Sequence, residues 1–315
     1  MDAFTNPGPP SFDLACLREE LTSYWLEIPR NADQVRVRVL PRLKALKAQA
    51  QSEARGFLER TGDGRACAKA LALFQDELVK LIYDLSIFHI CRALKPAAAE
   101  HMALVATGGY GRGLMAPGSD VDVLFLLPSN QTAQAESIVK SVLYYLWDLG
   151  YKVGHAVRTI DQTIKAAKDD TTVRTALLDA RLIHGESALF NRMRVSSISS
   201  VVQGSQREFI AAKFRERAQR LKRTGFSRYM VEPNIKEGKG GLRDLNMLHW
   251  FAVYLSPGGK GQAEAGIFSP GETATFNRCE AYLWTVRCHL HFLAGEPEER
   301  LSPDMAKKAC NSNEL

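Results

Sequence analysis

Two neighbouring stretches restrict this sequence more than any others. Thr107-Gly-Gly-Tyr-Gly-Arg-Gly113 puts four glycines into seven residues, and Gly118-Ser-Asp-Val-Asp122 follows after a gap of four. Short apolar runs flank them at residues 103–107 and 121–127, the second ending in Pro128-Ser129-Asn130. Apolar runs of this length bounded by turn residues read as buried strands. Glycines between them let the backbone adopt positive φ and approach a neighbour closely. Strand, glycine turn, strand is therefore expected across residues 103–127.

Residues 131–149 have helical spacing, Gly150 closes that helix, and residues 151–159 read as a third strand. The result is an α+β unit on a small mixed sheet flanked by helices. Upstream, residues 33–61 and 66–94 repeat apolar side chains at helical intervals, with Gly62 and Gly64 between them. A helical hairpin is expected there, with Pro41 bending its first helix or marking the first turn. Beyond residue 161 the spacing is again helical, at 171–184, 206–223, 242–255 and 271–295. Three regions follow: a helical one over 1–100, the α+β domain over 101–200, and a second helical one over 201–315.

With 315 residues, 45% of them hydrophobic, the chain can bury a core, which excludes global disorder. No window holds 18 consecutive apolar residues, so no transmembrane helix is expected, and residues 1–10 lack the pattern of a secretory signal. The expected compartment is cytoplasmic. The net charge of +6 suits a phosphate-bearing partner without requiring one. Six cysteines without a CxxC pair read as reduced core thiols.

The chemistry centres on the glycines and the aspartates. Asp120 and Asp122 are two apart, so on a strand they share a face while Val121 and Val123 point into the core. Desolvated carboxylates this close repel, and a divalent cation relieves the repulsion. Hard oxygen ligands suit Mg²⁺, which takes one or two carboxylates together with substrate phosphates. Backbone N–H groups of Gly108, Gly109 and Gly111 can cradle phosphate oxygens, and Arg112 and Ser119 add donors. The spacing is neither the dinucleotide fingerprint nor a P-loop. The combination points to metal-dependent nucleotidyl transfer. A tight turn followed by an edge strand with two solvated aspartates would show the same residues.

The motifs Gly-Gly-Tyr-Gly-Arg-Gly113 and Ser119-Asp-Val-Asp122 resemble those of the bacterial protein-PII uridylyltransferase/uridylyl-removing enzymes. Val153-Gly-His-Ala-Val-Arg-Thr159 is similar to that family's third strand, and residues 232–244 resemble the loop after its catalytic domain. The resemblance implies a polymerase β-like nucleotidyltransferase fold and Mg²⁺-dependent transfer of UMP from UTP to a tyrosine of the PII signal protein. It implies phosphate contacts at Gly108 and Gly109, and metal ligation by Asp120 and Asp122. Family members also remove UMP with an HD-type domain and sense glutamine with ACT domains. No histidine here is followed by aspartate, so neither deuridylylation nor a glutamine response is expected of this chain. Leu114 stands where the family more usually has glutamate. Transfer of another nucleotide, another acceptor, or an inactive PII- or nucleotide-binding module are the alternatives.

Residues 151–159 contain no carboxylate, which leaves His155 as one candidate general base and a structural histidine as the other reading. The loop Lys236-Glu-Gly-Lys-Gly-Gly-Leu-Arg243 is expected either to close over a triphosphate, with Lys239 as a contact, or to pack helices at a seam. The basic run from Lys213 to Arg228 reads as a solvated helix face or a contact for phosphates or an acidic PII surface. Its aromatics are not interleaved for base stacking, so nucleic acid is not an expected partner. Cys288, His289 and His291 point in different directions on a helix and are expected to be core.

Overall fold

A computed structural model describes residues 32–91, 101–224, 232–256 and 268–305, together with Pro10 and Glu19. Helices α1 (Ala32–Thr61) and α2 (Gly64–Cys91) form the expected hairpin. Helix α1 runs unbroken through Pro41, well inside its span, so Pro41 marks no first turn. At Gly64 an added Cβ would lie 2.2 Å from the Thr285 backbone. The glycine thus lets α2 touch a helix more than two hundred residues away.

The sheet has four strands in the order β3-β2-β1-β4. Strands β1 (Ala103–Ala106) and β2 (Val121–Leu127) are antiparallel, and β3 (Val153–Thr159) runs parallel to β2 after the crossover helix α4 (Ala133–Asp148). Between β1 and β2 the glycine turn forms one helical turn, α3 (Gly108–Gly111). The two faces of β2 separate as the alternation requires. Val121, Val123, Phe125 and Leu127 join the large core with α1, α2 and α4, while Leu124 and Leu126 join a smaller core on the other side.

After β3 come α5 (Ile160–Asp169), α6 (Thr171–Leu178) and β4 (Arg181–Gly185). The helix expected over 171–184 therefore stops at Leu178. Arg181–Gly185 pairs instead with β1, antiparallel, through a register shift between Leu104 and Val105. Only Leu182 and Ile183 are apolar in β4, too few to separate a strand from the end of a helix. Helices α7 (Ser187–Ser197), α8 (Gln206–Thr224), α9 (Leu242–Leu255) and α10 (Pro270–Ala294) follow, with a π-helical turn, Ile198–Val202, after α7. The result is a mixed four-stranded sheet between N- and C-terminal helical regions, consistent with a polymerase β-like nucleotidyltransferase fold.

Cys67 and Cys288 are buried free thiols, but Cys279 is an exposed one, against the expectation of core cysteines. Cys91 ends α2, and Cys16, Cys310 and Arg228 of the basic run lie outside what is described. Among the described residues no helix is long and apolar enough to cross a membrane.

Candidate active site

The glycine turn sits against the second aspartate. Thr107 N donates to the Asp122 carbonyl at 3.0 Å, which draws the end of β1 onto the start of β2. Gly108 has φ +57°, and a Cβ there would lie 2.9 Å from Asp122 Oδ2. Gly154 is paired with Asp122 across the β2–β3 ladder, and a Cβ on it would lie 2.2 Å from Asp122 Oδ1. The carboxylate is thus held between two positions where a Cβ would displace it. Gly109 faces open space. Gly111 instead presses on the Asp179 carbonyl, 2.1 Å from an added Cβ, so its missing side chain serves packing.

Replacing Gly154 by alanine is expected to push the Asp122 carboxylate aside while leaving β3 in the sheet. Displacements of about 1 Å at a reacting centre cost on the order of 10²-fold in rate. Turnover of the Gly154→Ala protein measured beside its thermal unfolding should show that loss with little change in melting temperature.

Gly108, Gly109, Arg112, Ser119, Asp120 and Asp122 line one cavity of about 500 Å³, joined by Lys213 of α8 and Lys236. Gly111 and Lys239 are not among its lining residues. Asp120 is exposed just before β2, and Asp122 is half-buried on it. Burial pushes the Asp122 carboxyl above its ordinary range, Asp120 pushes it further, and Lys236 partly offsets both. Two oxygen donors whose charges oppose each other beside a phosphate-sized turn fit a hard divalent cation. Ser119 Oγ accepts from Ala116 N at 2.9 Å, which leaves its proton available to a ligand.

The turn is clamped from behind. The buried Tyr110 hydroxyl donates to Asp76 Oδ1 of α2 at 2.7 Å. Arg181, the first residue of β4, donates to both Asp76 oxygens at 2.5 and 3.0 Å. The same guanidinium reaches the carbonyls of Gly111 and Tyr110 at 3.2 and 3.3 Å. One ion pair thereby ties the N-terminal hairpin, the sheet and the glycine turn together.

The segment after β1 and α3 is held from the C-terminal side. Gly118 N donates to His291 Nδ1 at 3.1 Å, and Pro297 packs against the Gly118 α-carbon. Cys288, His289 and His291 are all buried, so the core reading of these three fits. Ile235 N donates to the Glu299 carbonyl at 2.9 Å, and Glu299 pairs with Arg287 at 2.7 Å and with Lys236 at 3.5 Å. Burial alone would raise the Glu299 carboxyl; the His291 ring and the Arg287 guanidinium outweigh it and hold the group at about 2.

A carboxyl depressed in the folded state contributes stability above its unfolded pKa, and that stability is lost as pH falls through the folded value. The stability advantage of the native chain over Glu299→Gln should therefore be complete above pH ~4.5 and vanish as pH falls toward about 2. Denaturant unfolding of both proteins across that range reads it.

Residues 232–241, before α9, are tied down by side-chain and backbone hydrogen bonds. Asn234 Oδ1 accepts from Lys236 N and Glu237 N at 3.0 and 2.6 Å, and Asp244 accepts from Arg217 and from Gly240 N, both at 3.0 Å. Arg220 also pairs with Asp244. The loop thus packs helices at a seam while delivering Lys236, not Lys239, to the cavity. In the basic run, Lys213 is buried beside Glu216 and over the Trp250 ring, whereas Arg217 and Arg220 serve Asp244.

His155 pairs with Val123, so its side chain alternates to the sheet face opposite Asp122, where its ring meets Trp147 at 6.4 Å. Arg158 pairs with Leu126 and falls on the Asp122 face. Sequence reasoning did not single out Gly154, Asp76 or Arg181. The Asp122–Gly154 pairing follows from aligning β2 and β3, which was open to inspection; the Asp76–Arg181 pair spans 105 residues and left no local trace.

Residues 74–184 match the family described as the nucleotidyltransferase domain, and residues 208–312 match the one described as GlnD PII-uridylyltransferase. The bifunctional uridylyltransferase/uridylyl-removing enzyme of Bradyrhizobium sp. (strain BTAi1 / ATCC BAA-1182) is 46% identical over 301 residues, which cover 95% of this chain and 32% of that protein. This chain is homologous to the bacterial bifunctional uridylyltransferase/uridylyl-removing enzymes. The enzyme of the same name from Phenylobacterium zucineum (strain HLK1) is 46% identical over 291 residues, 92% of this chain and 31% of that protein. That from Rhodopseudomonas palustris (strain ATCC BAA-98 / CGA009) is 44% identical over 299 residues, 94% and 32% of the two chains. The chain thus spans about a third of the length of the curated relatives it matches.

Proposed function

We propose that this chain transfers UMP from UTP to a tyrosine of the PII signal protein, with Mg²⁺ as cofactor and pyrophosphate as the second product. The observation that carries the reading is the Asp122 carboxylate seated between Gly108 and Gly154 with Asp120 beside it in the same cavity. Asp120 and Asp122 would hold the cation, which when bound neutralises phosphate charge and polarises the α-phosphate. The N–H groups of Gly108 and Gly109 face phosphate oxygens, and Arg112, Lys213 and Lys236 supply positive charge around them. Arg158, on the Asp122 face, stabilises the phenolate of the incoming tyrosine. His155 is on the other face and takes no proton in this scheme.

Homology to uridylyltransferases supports the choice of UTP and PII over other nucleotides and acceptors. Incubation of the chain with PII, Mg²⁺ and each of four α-labelled nucleoside triphosphates tests it. Label on the PII tyrosine from UTP is expected. Label from ATP and none from UTP would contradict the reading.

A further inference from the structure

A second cavity of about 730 Å³, larger than the first, adjoins the glycine turn. It lies between the end of α6, the π-helical turn, α9 and the start of α10. Arg112, Leu114, Leu177 and Asp179 line both cavities and separate them. Among the described residues, five buried side-chain polar atoms lack a hydrogen-bond partner, and three are on residues that line this cavity: Thr273 Oγ1, and Arg112 Nε and Asp179 Oδ1 on two residues shared with the nucleotide cavity. Buried polar atoms are ordinarily satisfied, so three together in one hollow mark a place where a ligand completes the bonding.

The details set the chemistry. The Asp179 side chain is 1% exposed, and Arg112 Nε stands 4.0 Å from its Oδ2, too far to bond. Trp250 Nε1 donates to Asp179 Oδ2 at 2.8 Å, while Oδ1, 3.4 Å from His249 Nε2, makes no hydrogen bond. Three other arginines of the cavity are matched: Arg65 with Glu280, Arg174 with Glu208, and Arg181 with Asp76. Arg112 stands against Asp179, and Arg194 gives the lining its positive excess. The far wall is aliphatic and aromatic, with Val201, Val253 and Phe276.

We propose that this second cavity binds a small organic acid that carries a proton donor beside its carboxylate, its apolar body against Val253 and Phe276. The carboxylate answers Arg112 Nε and Thr273 Oγ1, with Arg194 at the mouth. The adjacent hydroxyl or amino proton answers Asp179 Oδ1. The site adjoins the nucleotide cavity and shares Arg112 and Asp179 with it, but its existence does not depend on which triphosphate that cavity takes.

Isothermal titration of the whole chain with 2-hydroxyoctanoate, octanoate and 1,2-octanediol tests it. The hydroxy acid is expected to bind one to one, octanoate about fivefold or more weaker, and the uncharged diol not measurably, since a charge-assisted or buried hydrogen bond is worth about 1 kcal/mol or more. Saturating Mg²⁺–UTP should weaken the hydroxy acid about fivefold at most, through the shared Arg112, without displacing it. Arg194→Gln, at an exposed position, should weaken it about fivefold, and Val253→Trp should abolish it by filling the apolar wall. Equal binding of the three probes, no binding at millimolar concentrations, displacement by UTP, or unchanged affinity in Arg194→Gln would each overturn the assignment. Circular dichroism of both variants separates lost binding from lost folding, and Arg194→Gln alone decides if Val253→Trp is unfolded.

Discussion

Replacing Asp122 by asparagine is expected to lower the proposed UMP transfer by roughly two orders of magnitude or more, the scale of losing one preorganised charge-stabilising group. The fold should survive. Asparagine matches aspartate in shape, so it fits the slot between Gly108 and Gly154. Stability should even rise slightly at neutral pH. Burial first, and Asp120 second, raise the Asp122 carboxyl above its ordinary value. A group raised in the folded state contributes its stability below the unfolded pKa and loses it as pH rises through the folded one. The ionised aspartate is therefore a strain on the folded chain at pH 7, which a neutral residue removes. Lost turnover with an unchanged or higher melting temperature is the signature of a functional carboxylate; lost turnover with a lower one would mean a structural residue.

The second large effect is expected at Asp76, which lies in α2, outside the glycine and Asp-x-Asp motifs. Asp76→Ala removes the acceptor of the buried Tyr110 hydroxyl and the partner of Arg181 together. Breaking a buried ion pair costs 3–5 kcal/mol, and about 3 kcal/mol applies here because Arg181 keeps 34% of its side chain exposed. For a chain this long that amounts to a fall of roughly 6 °C in melting temperature. The glycine turn rests on the same guanidinium, so the Michaelis constant for UTP should rise as well. Asp76→Asn, which still accepts from Tyr110, should recover part of both. A melting temperature unchanged in Asp76→Ala would remove the clamp from the account.

Much of this architecture was legible in the residues because local signals agreed. Val121–Leu127 and Leu242–Leu255 fall on the expected bounds, and the alternation that sends Val121 and Val123 inward leaves Asp122 on the other face. Strand β4 was hidden because two apolar residues cannot announce a strand; pairing with β1 makes it one. Helix α5 was hidden by its many charges, although Thr159 and Gln162 form a capping box at its start. Which lysine borders the cavity was not legible. Lys236 and Lys239 share one glycine-rich loop, and only the Asn234 turn with the Glu299 tether decides which of them faces inward. His155 borders the cavity, but the period of two puts its side chain on the face opposite Asp122. The Asp76–Arg181 pair is a tertiary contact that no window of sequence contains.

Cation binding tests the central claim most directly. Mn²⁺, used in place of Mg²⁺, can be followed by electron paramagnetic resonance in the presence of UTP. The native chain should bind Mn²⁺ with UTP far more tightly than the Asp120→Asn/Asp122→Asn double variant, at least tenfold by midpoint. Equal Mn²⁺–UTP affinity in the folded double variant would contradict the claim that these two carboxylates hold the metal against the nucleotide.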